Sequence, residues 1–291
     1  TTYSPVSVVN IDVTSPTISG TLPELSEEGC LASNAPTAVT TVAELEALGL
    51  TVSDDFNDDA DLNVSHVDNA SGTCPIVVTR VYTVSDACNN SMDIEQTITI
   101  TIPTFTISDA DGSSTVDCIA DATETFTMPT ITDACGDTLT PSAAVITENP
   151  DPLTCEGTRT YTYTYTDCAG NSDTWAYIYT IEMPQFTITD PDGASTVSCV
   201  ADATETFTLP NVTDFCGTTL DPYQIVINEN PNPATCEGTI TYVYTYKDCV
   251  GQTANWLYVY TIDTPQFTIT DADGASTVNC IAAATETCTL P

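Results

Sequence analysis

Alternation of apolar and polar positions is the clearest pattern along this chain. Tyrosines alternate with threonines over 158–166, and three aromatic residues followed by an isoleucine occupy every second position over 175–181. Both segments recur 81 residues later, at 239–247 and 256–262. β-Branched and aromatic residues at period two predict strands that bury one face, joined here by a hairpin loop at 167–171. We interpret the aromatic rows as core faces, with stacking platforms for sugars as the alternative.

The same 81-residue step extends through a large part of the chain. Residues 103–183 (second copy) and 184–264 (third copy) align without a gap and are identical at roughly five positions in eight, which is typical of tandem units. Residues 14–102 (first copy) are a diverged version. Residues 1–13 match the last strand of a preceding unit, and residues 265–291 match the first part of a following one. We therefore expect a window cut from a longer array, with completion by neighbouring chains as the alternative.

The predicted fold is all-β. Many short strands separated by Pro, Gly and Asp favour an antiparallel Ig-like β-sandwich in each copy. Only the first copy carries the insertion 41–48, where Thr41 followed by Glu44 has capping-box spacing and predicts one short helix. No Gly/Ser-rich linker separates the copies, so we expect an elongated, stiff rod of modules.

The composition indicates an oxidising environment and a folded chain. Thirteen cysteines at repeated spacings favour disulfides, whereas zinc sites need close cysteine or histidine pairs and the only histidine is His66. A net charge of −38 argues against nucleic acid and anionic lipid as partners. The 41% hydrophobic content argues against disorder, and no apolar run has transmembrane length.

Four cysteines in a copy allow three pairings. In an Ig-like sandwich the second and sixth strands run in the same direction on opposite sheets, which groups the first cysteine with the third and the second with the fourth. The predicted pairs are Cys30–Cys74, Cys118–Cys155, Cys135–Cys168, Cys199–Cys236 and Cys216–Cys249. Phe56 replaces the second cysteine of the first copy, so we expect Cys88 to be unpaired in this window, as a buried thiol or a cross-link to another chain. We expect Cys280 to pair beyond residue 291 and Cys288 to lie in a core.

Two segments of the first copy carry a family resemblance. Residues 74–90, together with 42–49, resemble the HYR-like, Ig-like tandem repeats of giant Bacteroidota cell-surface proteins. Those include SprB-type gliding-motility adhesins exported by the type IX secretion system. The resemblance extends to the other copies through 166–171 and 247–252. It implies an elongated, secreted protein at the bacterial cell surface, although such modules serve adhesins, stalks and enzyme appendages alike.

Two kinds of binding or modification site are suggested by short motifs. An Asp-x-Asp-Gly turn recurs near each junction, and paired carboxylates suit Ca²⁺, although a plain acidic turn is the alternative. The residues concerned are Asp109 and Asp111, Asp190 and Asp192, and Asp271 and Asp273. No other cofactor is expected. Asn63, Asn69 and Asn211 stand in N-glycosylation sequons, and Thr138 fits the short O-glycosylation signal of this bacterial group.

The sequence offers no base for a catalytic triad in the repeats and no glycine-rich phosphate loop, so we do not expect an enzyme. We expect a structural segment of a secreted filament or adhesin stalk, used in adhesion or gliding. The alternative is a glycan- or protein-binding module that acts through loops at the module ends. Expected partners are neighbouring modules of the same array, identical chains in a filament, and an extracellular surface or glycan.

Overall fold

The computed structural model describes residues 11–235, 237–266 and 268. The described chain is nearly all β, with sixteen strands and one α-helix, which confirms the predicted fold class. Each copy contains one four-stranded sheet, and the first and third copies add a two-stranded sheet.

The first copy packs a helix and a small sheet against a larger sheet. Its elements are β1 (Thr17–Ser19), β2 (Leu25–Glu28), α1 (Val42–Ala47), β3 (Thr51–Ser53), β4 (Asn63–Ser71), β5 (Ile76–Ser85) and β6 (Ser91–Thr101). The large sheet has the order β2-β6-β5-β4, with β2 parallel to β6 and the other pairs antiparallel. Strand β1 pairs with β3, and the core between the layers includes the buried residues Leu45, Val52 and Tyr82.

Helix α1 begins where the capping-box spacing predicts. The Glu44 N–H donates to the Thr41 hydroxyl at 3.3 Å, and the Thr41 N–H donates to the Glu44 carboxylate at 3.1 Å. These two bonds satisfy N–H groups that the first helical turn leaves without partners. Val42 and Leu45 then fall on the buried side of this short helix.

The second and third copies share a sheet plan. The second copy contains β7 (Gly112–Val116), β8 (Val145–Asn149), β9 (Gly157–Thr166) and β10 (Ser172–Ile181). The third contains β11 (Gly193–Val197), β12 (Val212–Thr213), β13 (Thr219–Leu220), β14 (Pro222–Asn230), β15 (Glu237–Lys247) and β16 (Thr253–Asp263). The sheet orders are β7-β10-β9-β8 and β11-β16-β15-β14, and β12 pairs with β13.

The aromatic rows form cores. Tyr161, Tyr163 and Trp175 are buried, and Tyr161 donates to the Ala122 carbonyl at 2.8 Å. The Phe126 ring stacks on Tyr177 with centroids 4.1 Å apart. The third copy repeats this stack between Phe207 and Tyr258 at 4.0 Å. Burial of these rings confirms the core interpretation and leaves the buried rows unavailable for stacking on sugars.

The described chain forms two compact units that do not coincide with single copies. Unit 1 comprises the residues up to Thr115 with Ala122–Leu153 and Gly157–Thr180. Unit 2 comprises Val116–Asp121, Thr154–Glu156 and the residues from Ile181 onwards. Two short segments of the second copy therefore belong with the third copy, and each of them carries a cysteine.

Candidate functional site

Disulfides join successive copies of the repeat. In unit 1, Cys30 bonds to Cys135 and Cys74 bonds to Cys168, with Cα–Cα distances of 5.4 and 5.9 Å. Unit 2 contains the bonds Cys118–Cys216 and Cys155–Cys249, with Cα–Cα distances of 5.7 and 5.9 Å. The first cysteine of one copy thus bonds to the second cysteine of the next, and the third bonds to the fourth.

This connectivity overturns the pairing predicted within copies. The pairs Cys30–Cys74, Cys118–Cys155, Cys135–Cys168 and Cys216–Cys249 are wrong, because each of these cysteines is bonded elsewhere. For the predicted pair Cys199–Cys236, Cys236 lies outside the described residues. Cys199 is exposed and has no disulfide partner within the described ranges. Cys280 and Cys288 also lie outside those ranges.

The physical reason for bonding between copies is the position at which the chain leaves one copy and enters the next. Strand β9 runs from Gly157, close to Cys155, to Thr166, close to Cys168, so the third and fourth cysteines flank opposite ends of one strand. The chain leaves the second copy close to its first cysteine, Cys118. The hydrogen bond from the Glu182 N–H to the Val116 carbonyl, at 3.0 Å, holds these two segments together. Cys118 and Cys155 therefore bond to the third copy instead of to each other, whereas Cys135 and Cys168 bond to the first copy.

The loop that carries the fourth cysteine also holds the chain entering the copy. In the second copy, buried Asp167 accepts the Asn171 backbone N–H at 2.9 Å and the Asn171 side-chain amide at 2.8 Å. The same amide donates to the Ile102 carbonyl at 3.4 Å. In the third copy, Gln252 donates to the Met183 carbonyl at 3.0 Å. Each loop therefore holds, by one hydrogen bond, the backbone that enters its copy, close to the disulfide of its cysteine.

The first copy has the same loop with a free cysteine. Burial of the Asp86 carboxyl acts to raise its pKa, but hydrogen bonds from the Asn90 side chain and backbone and from the Cys88 N–H outweigh this and lower it. Asn90 donates to the Asp12 carbonyl at 3.4 Å. Cys88 is exposed, which corrects the expectation of a buried thiol, and it has no disulfide partner among the residues described.

A second aspartate loop presents the second cysteine. Asp133 accepts the N–H groups of Cys135 at 2.8 Å and Asp137 at 2.9 Å. In the first copy Asp54 forms a related turn, accepting from Phe56 at 3.0 Å and from Asn57 at 2.9 Å. The turn survives loss of the cysteine, and the Phe56 side chain is 61% exposed in its place.

The recurring Asp-x-Asp-Gly turns have a structural role in the described copies. Asp111 accepts the Ala176 N–H at 2.8 Å, and the Trp175 indole N–H donates to the Ala110 carbonyl at 2.9 Å. Gly112 is required by close packing, because a Cβ atom there would lie 2.3 Å from the Tyr177 ring. The third copy repeats the first of these bonds between Asp192 and Leu257 at 2.9 Å.

These turns do not gather a set of metal ligands in the described ranges. Asp109, Asp111, Asp190 and Asp192 are exposed, and none of them belongs to the group of three acidic side chains that could hold a metal ion there. Asp271 and Asp273 lie outside the described residues. Calcium at these turns therefore remains a prediction without a described ligand set.

The predicted glycosylation sites are all accessible. Asn63 and Asn69 are exposed on β4, Asn211 is exposed immediately before β12, and Thr138 is exposed in the loop after the Asp133 turn. Exposure permits modification but does not demonstrate it, so these sites remain predictions.

All three cationic side chains of this acidic chain have partners. Arg80 is almost fully buried and forms a bidentate pair with Asp68, at 2.7 and 2.8 Å. The Arg80 hydrogen bonds lower the pKa of the Asp68 carboxyl. Arg159 pairs with Glu148 at 2.7 Å, and the Lys247 ammonium lies 5.0 Å from the centre of the Tyr223 ring. No described helix is long and apolar enough to cross a membrane.

Comparison with protein families identifies the family of the second and third copies. The family model for an HYR-like domain with four cysteines matches residues 106–181 and 187–262, together more than half of the chain. The chain belongs to the HYR-like family. Both matches lie in copies that carry all four cysteine positions, and the two matches begin 81 residues apart, which is the step of the repeat. The specific resemblance to SprB-type Bacteroidota adhesins goes beyond this match and remains a proposal.

Proteins outside this family are only distantly similar to the chain. No curated protein sequence matches the chain significantly. Protocadherin Gamma B7 extracellular cadherin domains 1–4 are 9% identical, with a TM-score of 0.29 over 83% of this chain and 75% of that one. The human Desmocollin-1 ectodomain is 10% identical, with a TM-score of 0.25 over 86% of this chain and 62% of that one. Mouse clustered PcdhgC3 EC1-3 gives 9% identity and a TM-score of 0.24, covering 65% of this chain and 77% of that one. At these TM-scores the similarities carry no argument.

Proposed function

We propose that this HYR-like chain is a structural segment of a secreted bacterial cell-surface filament or adhesin stalk, with adhesion or gliding motility as its use. The observation that supports the proposal is the disulfide connectivity from one copy to the next. Disulfides persist in oxidising, extracellular settings, which agrees with a secreted location. A bond between copies resists their separation, whereas a bond within a copy stabilises only that copy.

The connectivity creates a short covalent path through the chain. From residue 11 the path reaches Cys30, crosses to Cys135, follows the backbone to Cys155 and crosses to Cys249. It then continues to residue 264. These three backbone stretches contain about 19, 20 and 15 peptide links, whereas the full backbone between the same ends contains about 253. Tension along the chain would be carried by this path, so most of each module would be spared from extension.

Each cross-link also stabilises the folded state. A closed segment of 94 residues, as for Cys74 and Cys168, contributes about 4.7 kcal/mol in the chain-entropy treatment. The buried aromatic rows and the paired cationic side chains serve the fold itself, and the proposed role is non-enzymatic. It requires no cofactor for chemistry.

A cleavage experiment tests this role. We would insert a site for a sequence-specific protease after Thr104, an exposed residue at the start of the second copy. After cleavage, the fragments are expected to migrate as one species without reductant and as two species with reductant. The matched control replaces Cys30, Cys74, Cys135 and Cys168 by serine, and its fragments should separate under both conditions. Separation of the unsubstituted chain without reductant would contradict the proposal.

The pairing rule also proposes a partner for the free thiol. Cys168 and Cys249 are fourth cysteines, and each bonds to the third cysteine of the copy before it. Cys88 is the fourth cysteine of the first copy and is exposed. A further HYR-like module, from the rest of the array or from another chain in a filament, would supply its partner. Non-reducing peptide mass spectrometry of the native assembly should find Cys88 joined to such a module, and alkylatable Cys88 there would count against this.

A protein-binding role is the second candidate, favoured by an exposed sheet edge in the third copy. Strand β14 lies at the edge of its sheet and exposes Tyr223, Ile225 and Ile227. Unpaired strand edges with apolar side chains favour pairing with another chain. Replacing Ile225 and Ile227 by lysine should abolish such association in sedimentation experiments. Binding to a glycan array instead would favour recognition through loops at the module ends.

A further inference from the structure

Three carboxylates converge where the chain enters the first copy. Asp12, Asp54 and Asp55 place carboxylate oxygens within 4.8 Å of one another. Asp12 precedes β1 and is only 7% exposed, Asp54 is half-buried, and Asp55 is exposed. All three belong to unit 1, so the arrangement lies within one compact body.

Two oxygens of this cluster are buried without a partner. Asp12 Oδ1 accepts the N–H and the hydroxyl of Thr14, at 3.0 and 2.8 Å, while Asp12 Oδ2 is buried and receives no hydrogen bond from a backbone or side-chain donor of the described residues. The Asp12 carboxyl also interacts with the carboxyl of Asp86, which adds a fourth acidic group to its surroundings. Asp54 Oδ1 accepts two backbone N–H groups, and Asp54 Oδ2 is likewise buried and without a described partner. The Thr14 hydroxyl also contacts Asp55 Oδ1. Buried carboxylate oxygens without donors are costly, so each such oxygen indicates a missing cation or donor.

The cationic side chains of the protein are occupied elsewhere. Arg80 pairs with Asp68, Arg159 pairs with Glu148, and Lys247 lies over the Tyr223 ring. Like charges this close repel one another, and a bound cation removes that repulsion.

Comparison between copies shows that the cluster is specific to the first copy. The loop amide that contacts the Asp12 carbonyl contacts Ile102 in the second copy and Met183 in the third. In the aspartate turn, Asp55 corresponds to Ala134 and to Phe215. Acidic residues therefore replace apolar ones in the copy where Phe56 replaces the cysteine.

We propose that Asp12, Asp54 and Asp55 bind a divalent cation, with Ca²⁺ as the fitting ion, and that this ion stabilises the entry to the first copy where the disulfide position is lost. Hard carboxylate and hydroxyl oxygens suit Ca²⁺, which takes six to eight oxygen ligands in flexible geometry. An open cleft of about 450 Å³ beside the cluster is lined by Thr14, Ser15, Thr17, Ser53, Asp54 and Asp55, and it leaves room for water ligands. The site is distinct from the Asp-x-Asp-Gly turns.

Calcium titration of the full oxidised chain tests the proposal by calorimetry in 0.15 M salt. One site with a dissociation constant of about 10⁻⁴ to 10⁻³ M is expected, as in other extracellular modules. Asp12→Asn with Asp55→Asn should weaken it at least about tenfold. The matched control Asp109→Asn with Asp190→Asn removes the same charge from exposed turns and should leave this binding unchanged.

Amide hydrogen exchange shows whether calcium acts at this cluster, and a second variant keeps the test decisive if the first does not fold. Calcium should slow amide exchange over 12–15 and 54–57 in the unsubstituted chain and not in the double variant. Asp55→Ala, at an exposed position, serves if the double variant fails to fold by circular dichroism. Equal calcium binding by the unsubstituted chain and these variants, or equal loss in the Asp109/Asp190 control, would overturn the proposal. Absence of any binding at 10 mM Ca²⁺, about ten times the weakest expected constant, would do the same.

Discussion

Reduction of the disulfides should greatly lengthen this chain under tension. With copy-to-copy bonds, the covalent path between residues 11 and 264 has about 54 peptide links, and at about 3.5 Å per link it extends to about 200 Å including the two crossings. The reduced chain has about 253 links and extends to about 890 Å. The expected gain in contour length on reduction is therefore about 690 Å.

Single-molecule force spectroscopy measures this gain directly. Handles attached to both ends of the chain allow the fully extended contour length to be compared with and without reductant. Pairing within copies would give a path of about 135 links, or about 490 Å, so reduction would then add only about 400 Å. A measured gain near 400 Å would refute the connectivity and the proposed load path. A variant with Cys155 and Cys249 replaced by serine is the control, and its oxidised contour length should be greater.

Three further predictions concern the fold. Asp68→Ala leaves the buried Arg80 charge unpaired and should lower the free energy of unfolding by about 1–3 kcal/mol, discounted because Asp68 is 34% exposed; an unchanged denaturant midpoint would contradict this. The folded pKa of Asp68 lies below its ordinary value of 3.8. The unsubstituted chain should therefore be more stable than Asp68→Asn above pH 3.8, and this difference in the free energy of unfolding should disappear as the pH falls through the lower, folded pKa. Denaturant unfolding at several pH values measures it. Gly112→Ala forces a methyl group against the Tyr177 ring and should cost about 1–3 kcal/mol in thermal unfolding, with a smaller loss in a Tyr177→Leu background.

The elements of this fold were largely predictable from local patterns. Period-two alternation identified β9 and β10, because a strand buries every second side chain regardless of what lies beyond it. The capping box at Thr41 and Glu44 identified α1 for the same reason, since its hydrogen bonds join residues close in sequence.

The disulfide pairs were not predictable in this way. Sequence reasoning placed Cys118 and Cys155 at one end of the second copy, but their partners depend on which loops the next copy brings there. A usable signal was present in the lack of linkers, because a short connection holds the next copy beside that end. Treating each copy as a closed unit led to the wrong pairing.

The cluster of Asp12, Asp54 and Asp55 was not predicted from the sequence, because its members are far apart along the chain. Asp12 is separated from Asp54 by some forty residues and lies before the boundary assigned to the first copy. The more regular Asp-x-Asp-Gly motif suggested calcium instead. Its recurrence follows from the bond between Asp111 and Ala176 and from the space that Gly112 leaves for an aromatic ring.

Copy-to-copy bonding has a consequence for the order of maturation. When the second copy has folded but the third has not, Cys118 and Cys155 have no correct partner and remain thiols. Oxidation of these thiols must therefore wait until the neighbouring copy has folded and brought their partners into place. Completed bonding between two adjacent copies therefore reports that both of them have folded.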